Sequence, residues 1–373
     1  MELDFTDEQR QIRDVARRFL AKECPAALAR KMRENGASLP DNLWQRMASL
    51  GWLGLPFPQC YGGSESDWVT LAVIMEELGR ACDPTPFVDC ILNCGWLIHD
   101  LASEEQKERW LLPIIRGELR MSLADQEEGS SWESRTRQTT LKQSAQGLVL
   151  EGKKCFVENA DSSEILLVTA TMPAAGFTCV VPVSPRSAGV NLVKLRSLTH
   201  PNLYHVVFDG VVISQDQVIG WGSDIAAVFS AVMTRTTAFQ SIVAVGGARR
   251  ILEMTVAYAK ERHQFGKAIG SFQAVQHMLA NIWSEVETAE LAAYEALTFL
   301  ELGLAAADKV AVAKCASNET FVRTCFTAHQ IFGGMGFMWE TDLHLWTRKA
   351  KEIELAGGGL HRYRMELATR AFD

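Results

Sequence analysis

The sequence predicts a multidomain α and β chain in three consecutive parts. These are an N-terminal all-α domain over residues 1–118, a central antiparallel β domain over 119–222 and a C-terminal helix bundle over 223–373. Three observations predict it. The first third carries apolar residues at three- and four-residue spacing between helix caps. The middle changes to short β-branched runs divided by Gly, Asn, Asp and Pro, with no βαβ alternation. The remainder returns to helical spacing, now in long uninterrupted stripes.

Thr6 is a candidate N-cap, with Asp7 and Glu8 as acids in the first turn. The stretch QIRDVARRFLAKE then sets Ile12, Val15, Phe19 and Leu20 on one face. A second helix over 41–50 stops at Gly51, and GLPFPQCYGG (54–63) is a Pro/Gly loop. WVTLAVIMEELGRA (68–81) is a helix ended near Cys82-Asp83-Pro84, and another over 104–116 is closed by Gly117. The runs GLVLEGKKCFVENA, EILLVTATM, FTCVVPV, VNLVKL and YHVVFDGVVI read as strands of a small antiparallel barrel or sandwich. Helices follow over 223–261, 272–303, 307–332 and 360–371. In the second, Val275, Leu279, Ile282, Val286, Ala289, Ala293, Leu297 and Leu300 form one stripe. At 1.5 Å per residue that helix is on the order of 45 Å long.

Composition narrows the class. Apolar residues make up 47% and charged residues 22% of 373, enough for a large core without disulfides. The net charge of -8 disfavours a nucleic-acid partner, which needs a basic face. Nine scattered cysteines with no CxxC pair point to reduced thiols in a cytoplasmic setting, with no metal site. The acidic, polar start MELDFTDEQR does not read as a leader peptide, and no apolar run approaches the roughly 20 residues of a bilayer span. Neither a P-loop nor a strand-linked G-x-G-x-x-G occurs, so nucleotide hydrolysis and Rossmann-type NAD binding are not expected. No E-x-x-H pair supports a di-iron bundle.

Two segments carry chemistry. ERHQFGKAIGSFQ (261–273) joins two long helices and offers Arg262, Gln264, Phe265, a glycine turn at Gly266, Ile269, Phe272 and Gln273. An arginine, exposed amides and aromatic rings suit a pyrophosphate and a flat ring system. The plainer alternative is a helix–helix turn with a solvated arginine. QIFGGMGF (330–337) follows with Gln330, Gly333 and Gly334, where missing side chains let backbone approach a ligand.

Together these segments resemble the R-x-x-F-G-x-x-I-x-x-F-Q and Q-x-x-G-G-x-G-F motifs of the acyl-CoA dehydrogenase family, in the same order. EELGRA (76–81), LEGKKCFVENADSSEILLV (150–168) and VVFDGVVISQDQVIG (206–220) extend the resemblance over nearly the whole chain. It implies FAD as cofactor and a four-helix bundle as the C-terminal part. The first motif would contribute to an FAD diphosphate site across a subunit interface, and Gln330, Gly333 and Gly334 would approach FAD. Ser130 and Phe156 would be further flavin contacts. It also implies an acyl-CoA substrate, an electron-transfer acceptor protein and a dimer or tetramer with a like subunit.

The sequence departs from the family where the reaction needs a base. In α,β-dehydrogenation a carboxylate removes the α-proton while a hydride leaves the β-carbon for flavin N5. The family's glutamate stands nine residues after an arginine that corresponds to Arg348, which lands on Gly357. The alternative position, on the preceding long helix, is Thr236, with Thr237 beside it. Near the flavin, Ala124 replaces a threonine, and Phe156-Val157-Glu158 stands where the pattern has W-I-T.

Three readings stay open. The chain is the base-lacking subunit of a hetero-oligomer, as GGGLHR (357–362) suggests by its likeness to such branches. Or it is a self-sufficient dehydrogenase with a relocated base, Glu354 first, then Glu352, Asp125 or Glu158. Or it is a structural or regulatory subunit, or runs a changed reaction such as the reductive direction. Arg235 is a candidate contact to a CoA or acyl oxygen, with a surface ion pair as the equal alternative. His329 and His361 read as structural hydrogen-bonders, and Trp132 and Trp339 as packing residues.

Overall fold

The first helix begins where the capping residues set it. In the computed structural model, which describes residues 4–35, 41–129, 137–144, 147–174, 176–221 and 225–372, Thr6 and Gln9 form a reciprocal capping box. Helix α1 (Asp7–Glu23) follows, then α2 (Ala26–Asn35), α3 (Asp41–Ser49) and α4 (Trp68–Arg80). A π-helical segment (Phe87–Gly95) leads into α5 (Trp96–Leu101), and α6 (Glu104–Ile115) ends at Gly117, φ +72°. Strands β1 (Met121–Ala124), β2 (Thr140–Ser144), β3 (Gly147–Glu158), β4 (Ile165–Met172), β5 (Phe177–Val183), β6 (Val190–Lys194) and β7 (Leu203–Ile213) come next. Then follow α7 (Ala226–Glu261), the short β8 (His263–Gln264) and β9 (Lys267–Ala268), α8 (Gln273–Glu301), α9 (Ala307–Phe332), α10 (Leu343–Leu355) and α11 (Gly359–Phe372).

Contacts group these elements into two units that interleave along the chain. One comprises Met1–Ala37, Asp67–Pro84 and Thr237–Asp373; the other comprises Ser38–Ser66 and Thr85–Thr236.

The first unit is helical apart from the two-residue strands β8 and β9. Every residue of α4 from Thr70 to Gly79 is buried, as in a helix enclosed on all sides. Two glycines set how closely α4 meets α7. A Cβ on Gly79 would lie 2.0 Å from the Val243 carbonyl oxygen, and one on Gly246 would lie 1.9 Å from that of Glu76. Gly247 likewise leaves room for the Phe321 ring of α9. Buried acids on α4 are answered by cations. Glu77 takes a forked contact from Arg17, at 2.6 Å to Oε1. Glu76 accepts from Tyr294 Oη at 3.0 Å and lies 3.6 Å from Arg249, which also holds Glu287 and Glu290. On α8 the sequence-derived stripe is buried at Ile282, Val286, Ala289, Ala293 and Leu297, and only partly at Val275, Leu279 and Leu300. On α1 the buried face differs from the expected one by a residue. Val15 is exposed and Ala16 is buried in its place, one turn before the buried Leu20.

The second unit holds a seven-stranded sheet in the order β1-β4-β2-β3-β7-β6, with β5 also on β4. It is mixed rather than purely antiparallel. β1 runs parallel to β4, and β2 touches β4 in parallel at Thr140↔Thr171. The connection from β1 to β4 includes a whole hairpin, so the chain has length enough to bring β4 back in the same direction. All other pairings are antiparallel. The β3–β7 ladder slips twice, between Leu150 and Gly152 and between Lys154 and Val157. Such bulges re-aim side chains, and the second contains Phe156, φ +56° and 57% exposed.

Among the described residues α7 alone is long and apolar enough to cross a membrane, and 56% of its apolar window is buried inside the protein. The first unit's α4 and α9 cover it as a core helix, through Gly246 and Gly247.

Candidate functional site

The segment after α7 turns back on itself as a two-residue hairpin. His263↔Ala268 and Gln264↔Lys267 pair, and Phe265 and Gly266 form the turn at φ +52° and +80°. Both central residues at positive φ make a type I′ turn, which glycine accepts freely and phenylalanine does not. The turn presents Phe265 almost fully to solvent, at 91% exposure. Its edge packs on the Phe272 ring, centroids 6.2 Å apart. Arg262 is exposed, and no ion pair of its guanidinium occurs among the described residues. Gln273 opens α8 directly behind Phe272.

The second motif lies beside the first. Tyr258, one turn before Arg262, stacks on Phe332 at 4.1 Å and donates from Oη to its carbonyl at 3.4 Å. Helix α9 ends there at Gly333, whose φ +58° and ψ −137° only glycine adopts readily. A Cβ on Gly266, Gly333 or Gly334 would meet nothing within 4 Å, so these backbones face open space. Gln330 is exposed alongside. An unpaired guanidinium, glycine backbones open to close approach and bare rings suit a pyrophosphate and a flat heterocycle.

The third cluster surrounds Gly357. The turn from α10 to α11 runs through Gly357, Gly358 and Gly359 at φ +70°, +96° and +73°. It brings Tyr363 of α11 back so that its Oη lies 3.2 Å from Thr237 Oγ1 of α7. Arg362 donates to the Gly357 carbonyl at 3.1 Å and pairs with Glu366 at 2.7 Å.

Comparison with known proteins shows the family. Residues 6–118 match the model of the acyl-CoA dehydrogenase N-terminal domain, and residues 227–372 match that of the C-terminal domain. This chain belongs to the acyl-CoA dehydrogenase family. The probable acyl-CoA dehydrogenase YngJ of Bacillus subtilis is 27% identical, with 99% of each chain covered. A 3-(aryl)acrylate reductase of Clostridium sporogenes is also 27% identical over 98% of each chain. The solved structure of PigA with FAD and proline is 25% identical with a TM-score of 0.90, covering 100% of this chain and 99% of that one. The fold is therefore the acyl-CoA dehydrogenase fold, with a helical N-terminal domain, a central β domain and a C-terminal helical domain.

Within that family fold, the carboxylates offered as replacement bases are all engaged. Glu354 is held by Lys351 at 2.6 Å and Glu352 by Lys349 at 2.6 Å. Asp125 accepts from Arg137 at 2.8 Å and from Thr169 at 2.7 Å. Glu158 lies 3.8 Å from His200 Nε2. The segment from Ala124 is pinned from below. Lys154, fully buried, donates to Glu127 at 2.7 Å, to Thr169 at 3.1 Å and to the Asp125 carbonyl at 3.2 Å. Ser130 and Trp132 lie outside the described residues.

The remaining candidates are placed as follows. Arg235 pairs with Asp100 and sits 5.0 Å above the Trp96 ring, so its charge is already answered. His329 bonds Thr347 at 2.9 Å and stacks on Phe337, and burial lowers its pKa. His361 is exposed. Trp339 stacks on His344 at 4.1 Å and donates to Glu34. No motif spacing marks Tyr363, whose hydroxyl is folded back from the next helix by the glycine turn.

Proposed function

We propose that this chain is an FAD-dependent oxidoreductase subunit acting on the α,β-bond of an acyl-CoA thioester, and that it brings no carboxylate base of its own. It works as the base-lacking chain of a hetero-oligomer, in the cytoplasm, and passes electrons to a separate acceptor protein. One observation carries this. Positions 357 and 236 are Gly and Thr, and Glu354, Glu352, Asp125 and Glu158 are each engaged elsewhere. Bound FAD supplies the hydride-accepting N5. Arg262, Gln264, Phe265, Phe272 and Gln273 would hold its diphosphate half, with Gln330, Gly333 and Gly334 beside them, and Phe156 and Ser130 on the flavin side. The exposure of Arg262, Gln264, Phe265, Gln273, Gln330, Gly333 and Gly334 in the single chain supports completion by a second subunit.

Expression alone and with a homologous chain tests the reading. The expected result is little acyl-CoA oxidation by the lone chain with an artificial electron acceptor, and a gain on adding the partner. A yellow homo-oligomer that is fully active by itself would refute the partner dependence.

A further inference from the structure

The place where the family pattern sets its base is not vacant. A Cβ on Gly357 would lie 2.8 Å from Tyr363 Oη and 3.7 Å from Thr237 Oγ1. The two oxygens are 3.2 Å apart, and either is able to donate to the other. Both side chains are buried. Beside Thr237 on α7, the buried Thr236 Oγ1 has no hydrogen-bond partner among the described residues. An orphaned hydroxyl in a buried setting marks a place that a ligand's polar group can complete.

We infer that the Tyr363 hydroxyl is the proton donor to the α-carbon of a bound enoyl thioester. The inference rests on the flavin and thioester chemistry proposed above, but not on the partner chain. Three points lead to it. A side chain at position 357 would run directly into this oxygen, so the phenol holds the ground a glutamate would occupy. Burial raises the phenol's pKa, and the nearby Thr237 hydroxyl and Arg362 only partly offset that. A phenol that keeps its proton at neutral pH has one to give and no charge with which to take one.

The step balances as a reduction. A hydride from the reduced flavin forms the new C–H bond at the β-carbon while the C=C π bond breaks. The electron pair at the α-carbon takes the proton from Tyr363 Oη. Flavin is oxidised, the thioester is reduced by two electrons, and the phenolate recovers a proton through the Thr237 hydroxyl. In this direction the electron-transfer protein, which accepts electrons when the chain oxidises, instead donates the next pair to the flavin.

The test uses the FAD-loaded full chain, reduced anaerobically and mixed with crotonyl-CoA or cinnamoyl-CoA. Return of oxidised-flavin absorbance reports turnover, and calorimetry reports thioester binding. In deuterated water the product is expected to carry deuterium at the α-carbon. Tyr363→Phe keeps the ring and removes only the oxygen. It is expected to slow reoxidation about 100-fold or more, the usual worth of a positioned acid, with Kd and melting temperature unchanged. Thr237→Val is expected to slow it less. Equal rates for Tyr363→Phe and wild type would overturn the inference, as would a wild type that binds the thioester without reoxidation. Failure to bind either thioester would instead overturn the functional reading, and the inference with it.

Discussion

Asp89 shows what a single buried acid does in this chain. Its carboxyl accepts from Ser122 Oγ at 2.8 Å, from the Leu123 amide at 3.1 Å and from Asn93 at 3.0 Å. Burial, with Glu158 nearby, still pushes its pKa up to about 7. The folded state therefore keeps a proton, between about pH 4 and 7, that the unfolded chain releases. The stability from this group is complete below pH 4 and is lost as pH rises through 7. Asp89→Asn is expected to remove that decline, up to about 1.4 kcal/mol per pH unit, from urea unfolding measured across the window. Glu76, raised to about 7 by burial, has the same sign and remains in the variant. An unchanged slope would show that Asp89 stays ionised. The same scale sets what the sequence shows of the site. Gly357 and Thr236 are found by counting along motifs, so the residue types at those two positions are legible. Tyr363 is not, because its place depends on three successive left-handed glycines.

Among the elements, those with strong local signals were legible. Thr6, Gly51 and Gly117 bound their helices as caps and stops should, and β5 coincides with FTCVVPV. The strands β1 and β2 and the helices α2, α5 and α10 were not read from the sequence. β1 has four residues, and β2 is largely polar and exposed, so neither shows a two-residue alternation long enough to stand out. Their places come from pairing with β4 and β3. The β-sheet's buried ion pair makes a prediction at this scale. Lys154→Met takes away the buried cation that faces Glu127, whose carboxylate keeps the Gln138 and Thr139 amides, at an expected cost of about 3–5 kcal/mol in urea unfolding. Adding Glu127→Gln removes the stranded charge and is expected to recover most of that loss. If the double variant is no more stable than the single one, the cost lies in packing rather than charge.

At the scale of the molecule, the order of helix, sheet and long helix was readable because each change of hydrophobic period is abrupt. The grouping of residues 67–84 with the bundle was not, since it depends on the Gly79–Val243 and Gly246–Glu76 backbone contacts between distant segments. The two motif segments were readable as a family pattern, and Arg262, Gln264, Phe265 and Gln330 lie exposed. The proposed function has this family fold work without a carboxylate base of its own. Anaerobic mixing of the FAD-loaded chain alone with butyryl-CoA, followed by flavin absorbance, tests it most directly. The thioester is expected to bind and the flavin to stay oxidised until a homologous base-carrying chain is added. Prompt bleaching by the lone chain would contradict it.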